Sequence, residues 1–432
     1  MQESFLHFVW QFQYFNKKDL FTCDEENLNI IHPGILNPDA GPDFLNTKIL
    51  IGDVQWFGQA EVHIFSSDWN KHEHGDDAAY DNVILHIVWE DDKPVIRVDG
   101  SYIPTLSLKG RISEELILKW QNLIKSEGHI PCSGQIMEVK EIIRLSMMDK
   151  SLFERLQMKA TRILNILQEN GNDWETTTYQ LLASNFGFKI NSNAFLELSS
   201  SLPYKFLLKH QDNIFQLEAL LFGQAGLLEE NIEDEYFYSM KKEFAFLKHK
   251  YNLLPANIPT YEWKFLRLRP ANFPTIRIAQ FAMLLHKLHN LFAYIKEVES
   301  PKELYKSFGI KQSSYWQKHY HFGKISQGKV SGLGKLSIEN IIINTLAPLL
   351  AAYGISKQDQ FYIDNSVELL QSVAPEDNKI LRFWNDIGIY ANSGFDSQSL
   401  IQLYNEYCSK RKCLSCNIGT TLLKKPGNNK WF

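Results

Sequence analysis

No uninterrupted apolar run of bilayer length occurs in the 432-residue chain. The longest candidate, Ile341 to Ile355, is broken by Asn344, Thr345 and Pro348 and falls short of the roughly 20 residues a spanning helix needs. The opening MQESFLHFVWQFQYFNKK lacks the basic start, apolar stretch and small-residue cleavage site of a secretion signal. We therefore expect a cytoplasmic protein with no membrane partner. Cysteine is scarce and odd in number, five in all, which excludes the disulfide framework of a small secreted domain. An excess of positive charge is missing as well. With a formal net charge of −5 the molecule exerts no long-range pull on nucleic acid, so any such partner needs a local basic face. There is no fixed-period repeat and no low-complexity tract, which argues against a solenoid. Nor is there a phosphate loop: the segment Ser331-Gly332-Leu333-Gly334-Lys335-Leu336 has no glycine five positions before Gly334 and has leucine where a Mg²⁺-binding hydroxyl belongs.

What the chain does have is a concentration of metal-binding side chains near its start. Between Ala40 and Glu90 lie Pro42-Asp43, the triplet Glu61-Val62-His63, then His72, His74, Asp76, Asp77 and His86; four of the 13 histidines fall within this stretch. Thr47 to Ile51, Gln59 to Phe65 and Val83 to Trp89 read as strands, being rich in β-branched and apolar residues between glycines and turn formers. Alternation along Gln59 to Phe65 places Glu61 and His63 on one face and Val62 and Ile64 on the other. Asp43 and Glu61 are 18 residues apart, enough for a strand, a turn and a return strand that bring the two carboxylates together. A helix is expected over Asp76 to Asn82. From Glu61 to Asp99 ten acids face three bases, a patch that is either loaded with cations or simply solvated.

Beyond Ile112 the apolar period changes to three or four. Phe153, Leu156, Ala160, Ile163, Leu164 and Leu167 form one helical stripe, and Leu217, Leu220, Leu221, Gln224 and Leu228 another. Breaks at Gly171-Asn172, Pro203, Pro255 to Pro259 and Pro270 to Pro274 separate helices. We expect an α+β chain in three parts: an α/β domain over 1–112, a helical domain over 113–330, and a helical C-terminal region with a cysteine cluster over 331–432.

Two further patterns carry chemistry. In WKFLRLRPANFPTIRIAQF, Lys264, Arg267, Arg269 and Arg277 alternate with Trp263, Phe265 and Phe273, a combination that grips phosphates and stacks bases, though arginines buttressing a Pro-rich turn look the same. Near the end, Cys408-x4-Cys413-x2-Cys416 brings three thiols close enough to share one Zn²⁺ or one iron–sulfur cluster, with Cys132 preferred over Cys23 as the fourth ligand. From Cys408 onward there are six bases, Lys410, Arg411, Lys412, Lys424, Lys425 and Lys430, and no acid, a pattern that suits either a phosphate-contacting knuckle or an exposed tail.

Pro42-Asp43 followed by Glu61-Val62-His63 resembles the PD-(D/E)xK metal-dependent nuclease superfamily. That resemblance implies a restriction-endonuclease-like α/β core in which Asp43, Glu61 and the Val62 carbonyl hold Mg²⁺ or Mn²⁺ for cleavage of DNA or RNA. It departs at His63, where the superfamily has lysine. An imidazole can take a proton from water or bind metal, but supplies no fixed positive charge. His72, His74 or Asp77 would complete a second shell or a second metal. One early and three late cysteines are also similar to the iron–sulfur nucleases of CRISPR adaptation and recombinational repair, with a different late spacing. Along nearly its whole length, through AGPDF, the EVH…SSDW…H-x-H block, LEALLFGQAGLL, WKFLRLRPANFPTIRIAQ and YCSKRKCLSC, the chain resembles a bacterial family, domain of unknown function 2851. Two alternatives stand beside the nuclease reading: another His/Asp enzyme using Zn or Fe, and a non-catalytic nucleic-acid-binding scaffold.

Overall fold

The computed structural model describes residues 1–97, 99–254, 258–298 and 300–424. Lys425 and Lys430 of the terminal basic run, and Pro255 of the expected break, lie outside the described residues. The fold is α+β, a small sheet near the N-terminus and a large helical region. The chain divides into two units, one combining Met1–Met147 with the segment from Tyr404 onward, the other Met148–Leu403.

In the first unit, α1 (Glu3–Gln11) buries Phe5, Leu6, Phe8, Val9 and Trp10. It ends at Gln11, because Gln13 takes a left-handed φ of 57° and the chain turns back. The strands are β1 (Leu28–His32), β2 (Ile35–Leu36), β3 (Phe44–Ile51), β4 (Val54–Phe65), β5 (Val83–Glu90) and β6 (Thr105–Ser107). The sheet runs β1-β3-β4-β5-β6, with β2 pairing on β3. A two-residue turn at Gly52-Asp53, where glycine supplies φ 55°, joins β3 and β4 antiparallel. β5 then pairs parallel to β4, so the residues between them must cross over.

That crossover differs from the expected helix. It holds a single helical turn, α2 (Asp68–Lys71), and two 3₁₀ turns, His74–Asp76 and Ala78–Tyr80. The local cause is visible: Glu73 sits at a left-handed φ of 59°, and the Asp77 side chain caps the second turn by accepting from Ala79 N at 2.9 Å. Two short polar caps outcompete one continuous helix. Asp92, at the end of β5, accepts from Ser67 N at 2.9 Å and Ser66 Oγ at 3.0 Å and so fixes where the crossover begins.

α3 (Glu114–Lys125) starts at a Ser113 cap, and its Trp120 stacks on Phe5 of α1 with ring centroids 4.6 Å apart. The C-terminal helix Asn417–Lys424 packs on α3 in the same unit.

Among its described residues the second unit is helical, with one small hairpin at His319–Ile325. Its continuous core takes in most of both expected stripes, with Leu156, Ala160, Leu217 and Leu221 at most 5% exposed, whereas Phe153 of the first stripe is 51% exposed. Within it, Lys335–Lys357 is long and apolar enough to cross a membrane by length and composition, and most of it is buried within the protein, as a core helix is. A π-helical stretch, Ile342–Leu346, lies inside this helix.

Candidate metal centre

β4 is regular from end to end, because the register shifts fall within β3 and β5. Its alternation therefore survives, and Gln59, Glu61 and His63 project from one face. Pairing with β5 sets His86 beside Glu61. The crossover returns over this face and brings His72 and His74 down to it.

Asp43 lies just before β3, and it and Glu61 are laced together through backbone amides. Asp43 N donates to Glu61 Oε2 at 3.0 Å, and Val62 N donates to Asp43 Oδ2 at 3.0 Å. Glu61 Oε1 faces the imidazoles, 3.4 Å from His74 Nε2 and 3.7 Å from His63 Nε2. His63 approaches His86 through Nδ1 at 2.8 Å and His72 through Nε2 at 3.1 Å. One nitrogen each from His63, His72 and His74 lie within 4.8 Å of one another. Tyr80 stacks on His74 at 3.9 Å, and Trp69 meets both His74 and His86 edge-on.

Electrostatics follow from enclosure. Burial, reinforced by the charge of Asp43, pushes the Glu61 carboxyl up to about 8. Burial, together with His86, His74 and His72, pushes His63 down to about 3; burial also takes His86 to about 3 and lowers His74. Enclosure thus favours the neutral form of His63, His74 and His86 and the protonated form of the Glu61 carboxyl. Buried polar atoms there lack hydrogen bonds: His86 Nδ1, Trp69 Nε1, Gln59 Oε1 and His74 Nε2, the last reaching Glu61 only at ion-pair distance.

α1 contributes residues that sequence reasoning missed. His7 Nε2 is 3.1 Å from Asp43 Oδ2, poorly aligned for a hydrogen bond but close, and Glu3 on the same helix interacts with His72 and Asp43, its carboxyl raised chiefly by burial. The available signal was the polar pair Glu3 and His7, four apart in an aromatic helix. Asp77 is exposed and engaged as a cap; its charge reaches His74 and Tyr80, but it is not among the converging ligand atoms.

Cys132, Cys408, Cys413 and Cys416 are all buried in the first unit and none is in a disulfide; Cys23 is exposed. Burial, and the proximity of the thiols to one another, pushes Cys132 up to about 12 and Cys413 up to about 11.

Residues 3–379 match the family model described as Protein of unknown function (DUF2851). The chain belongs to this family. No curated protein and no solved structure matches it. Asp43, Glu61, the four histidines and Cys132 lie inside the matched span, and the three late cysteines beyond it.

The basic stretch does not present itself as one surface. Lys264, Arg267 and Arg269 are exposed, but Arg277 is buried. Its guanidinium bonds Asn272 Oδ1 at 2.6 Å and Gln280 Oε1 at 2.9 Å and lies 4.1 Å over the Phe188 ring. Trp263 is a core residue whose Nε1 donates to Ala225 O at 2.9 Å. Neither is turned outward to meet a base or a phosphate chain.

Proposed function

We propose that the protein is a metal-dependent nuclease-like hydrolase of phosphodiester bonds, with Asp43 and Glu61 as the acidic ligands and His63 as the group that orients or deprotonates water. The observation that carries the reading is the reciprocal lacing of Asp43 and Glu61 across neighbouring strands, with the free Oε1 of Glu61 aimed at the imidazoles. Burying an acid this deeply is costly, and a cation at Oε1 offsets that cost by displacing its proton. The nuclease resemblance implies the order helix, strand, strand, strand, helix, strand; the opening helix, the antiparallel hairpin and the parallel last strand support the reading, while one helical turn and two 3₁₀ turns stand in place of the second helix. A groove of about 660 Å³ lined by His32, Asn46, Lys48, Phe57 and Gln59 runs along the same two strands, with Asp43, Glu61 and His63 outside its lining. A bound divalent ion polarises a phosphate and lowers the pKa of its water. With lysine replaced by His63, the positive charge beside the phosphate has to come from that ion.

A second reading rests on the convergence of His63, His72 and His74. Imidazole-rich sets favour zinc, iron or manganese over magnesium, so a different metal enzyme, holding its ion by the three rings and Glu61, uses the same centre. Elemental analysis and nuclease assays with Mg²⁺, Mn²⁺ and Zn²⁺ on single- and double-stranded DNA and RNA test both. Cleavage abolished by Asp43→Asn and Glu61→Gln supports the first. Tightly held zinc or iron, lost on His72→Ala and without nucleolysis, supports the second. A protein that binds no divalent ion and cuts nothing overturns both.

A further inference from the structure

Cys132 and the trio Cys408, Cys413 and Cys416 are some 280 residues apart in sequence, yet they interact pairwise in space. Each of the six pairs is close enough for one ionised thiol to repel another. All four side chains are at most 9% exposed. Isolated buried cysteines behave as small apolar residues and have no reason to seek one another. A meeting of four from two remote segments needs a different cause.

The backbone around them is shaped for the meeting. Cys132 begins a tight turn, its carbonyl accepting from Gln135 N at 3.0 Å and Ile136 N at 2.8 Å. Between Cys408 and Cys413 the chain reverses through Arg411 at a left-handed φ of 54°, with Lys412 N bonded to Tyr407 O at 2.9 Å. Cys416 N closes a short turn on Cys413 O at 3.3 Å, so that both sulfurs of the Cys-x2-Cys pair leave one turn. Gly419 then passes so close that a Cβ there would stand 2.3 Å from Cys413 O. Arg411 reaches Ser126 O at 2.6 Å and Gly128 O at 3.0 Å, tying the late loop to the segment that leads into Cys132.

The spacing of the sulfurs separates two kinds of occupant. Four thiolates on one tetrahedral zinc stand about 3.8 Å apart, given a Zn–S bond of about 2.3 Å. Among the described residues these cysteines do not form a group with three ligand atoms within 4.8 Å of one another. Thiolates that each bind a different iron of a polynuclear cluster are held farther apart. We propose that Cys132, Cys408, Cys413 and Cys416 ligate an iron–sulfur cluster that fastens the late segment to the early one. The proposal stands independently of the reading of the acidic centre.

The test is anaerobic purification of the full chain from iron-replete cells, with determination of iron, acid-labile sulfide and zinc, and visible absorption and electron paramagnetic resonance of the dithionite-reduced protein. We expect iron and sulfide in roughly equal amounts, a broad visible absorption, loss of both in Cys413→Ser, and retention in Cys23→Ser. Where Cys413→Ser does not fold, the wild-type measurement decides alone. Zinc without sulfide, all five thiols titrating in metal-free protein, or a disulfide among the four in native mass spectra each overturns the proposal.

Discussion

In the helical unit Lys159 and Arg155 are enclosed by acceptors, whereas in the sheet-bearing unit the imidazoles around Glu61 face one another and the rings of Trp69 and Tyr80. Lys159 Nζ reaches Asn344 Oδ1 at 3.0 Å, Gln398 Oε1 at 3.1 Å and Ile343 O at 3.4 Å, and Arg155 Nε donates to Gln398 Oε1 at 2.6 Å. Glu376 completes the set by accepting from Gln398 Nε2 at 2.5 Å and Asn344 Nδ2 at 3.3 Å. The π-helical stretch at Ile342–Leu346 contributes both Asn344 and the Ile343 carbonyl to this network. Burial pushes Lys159 down to about 7, yet its donors all have partners. Around Glu61 the polar atoms are buried and several have none. A satisfied network holds a fold together, while an unsatisfied one keeps its bonding capacity for something else.

The comparison breaks first if the acidic centre proves to be structural. Glu61→Gln keeps an acceptor for Asp43 N but removes the charge a cation needs. We expect metal-dependent cleavage to fall by more than about 100-fold, beyond the range typical of outer-shell partners, with the melting temperature nearly unchanged. Parallel assays of turnover and thermal unfolding check this. A large loss of stability with residual activity would reverse the assignment.

The matching change in the helical unit is Gln398→Leu. It leaves Lys159 and Arg155 short of an acceptor in a buried site, and the expected loss is on the order of 2–3 kcal/mol. Denaturant unfolding measures it, and metal binding in the other unit should be untouched.

Acid sharpens the contrast. His63 and His86 titrate near 3 in the folded chain against 6.5 unfolded, so unfolded chains bind more protons in that window and stability falls as pH drops below about 6.5. Glu61 has the opposite sign: its contribution is full below 4.5 and lost as pH rises through about 8. Hydrogen exchange of β4 and β5 amides should therefore show early acid weakening, on the order of a few kcal/mol by pH 4, and His63→Leu should flatten it.

Much of this centre could be read from sequence because it depends on short-range rules. Period-two alternation puts Glu61 and His63 on one face, and a hairpin of the right length returns Asp43 to Glu61. The crossover departs from the sequence expectation, since helix propensity over Asp76 to Asn82 says nothing of the cap that Asp77 makes. Arg277 shows the same limit: a cation in a basic stretch looks exposed, but an aromatic ring and two amides bury it. Only tertiary packing decides between such outcomes.

The same limit hid His7. It sits on a helix whose aromatics announce a core, 36 residues before the aspartate it meets. At 3.1 Å from Asp43 Oδ2, it either steadies that carboxylate or joins it as a ligand. As a supporting partner, its loss in His7→Ala weakens Mn²⁺ binding by about 10-fold, the scale of an outer-shell contact, and His7→Gln, which can still donate, restores most of it. As a direct ligand, neither variant binds well. Titration calorimetry on the pair separates the roles, and an unchanged affinity in both places α1 outside the centre, leaving the strands and crossover to hold the ion alone.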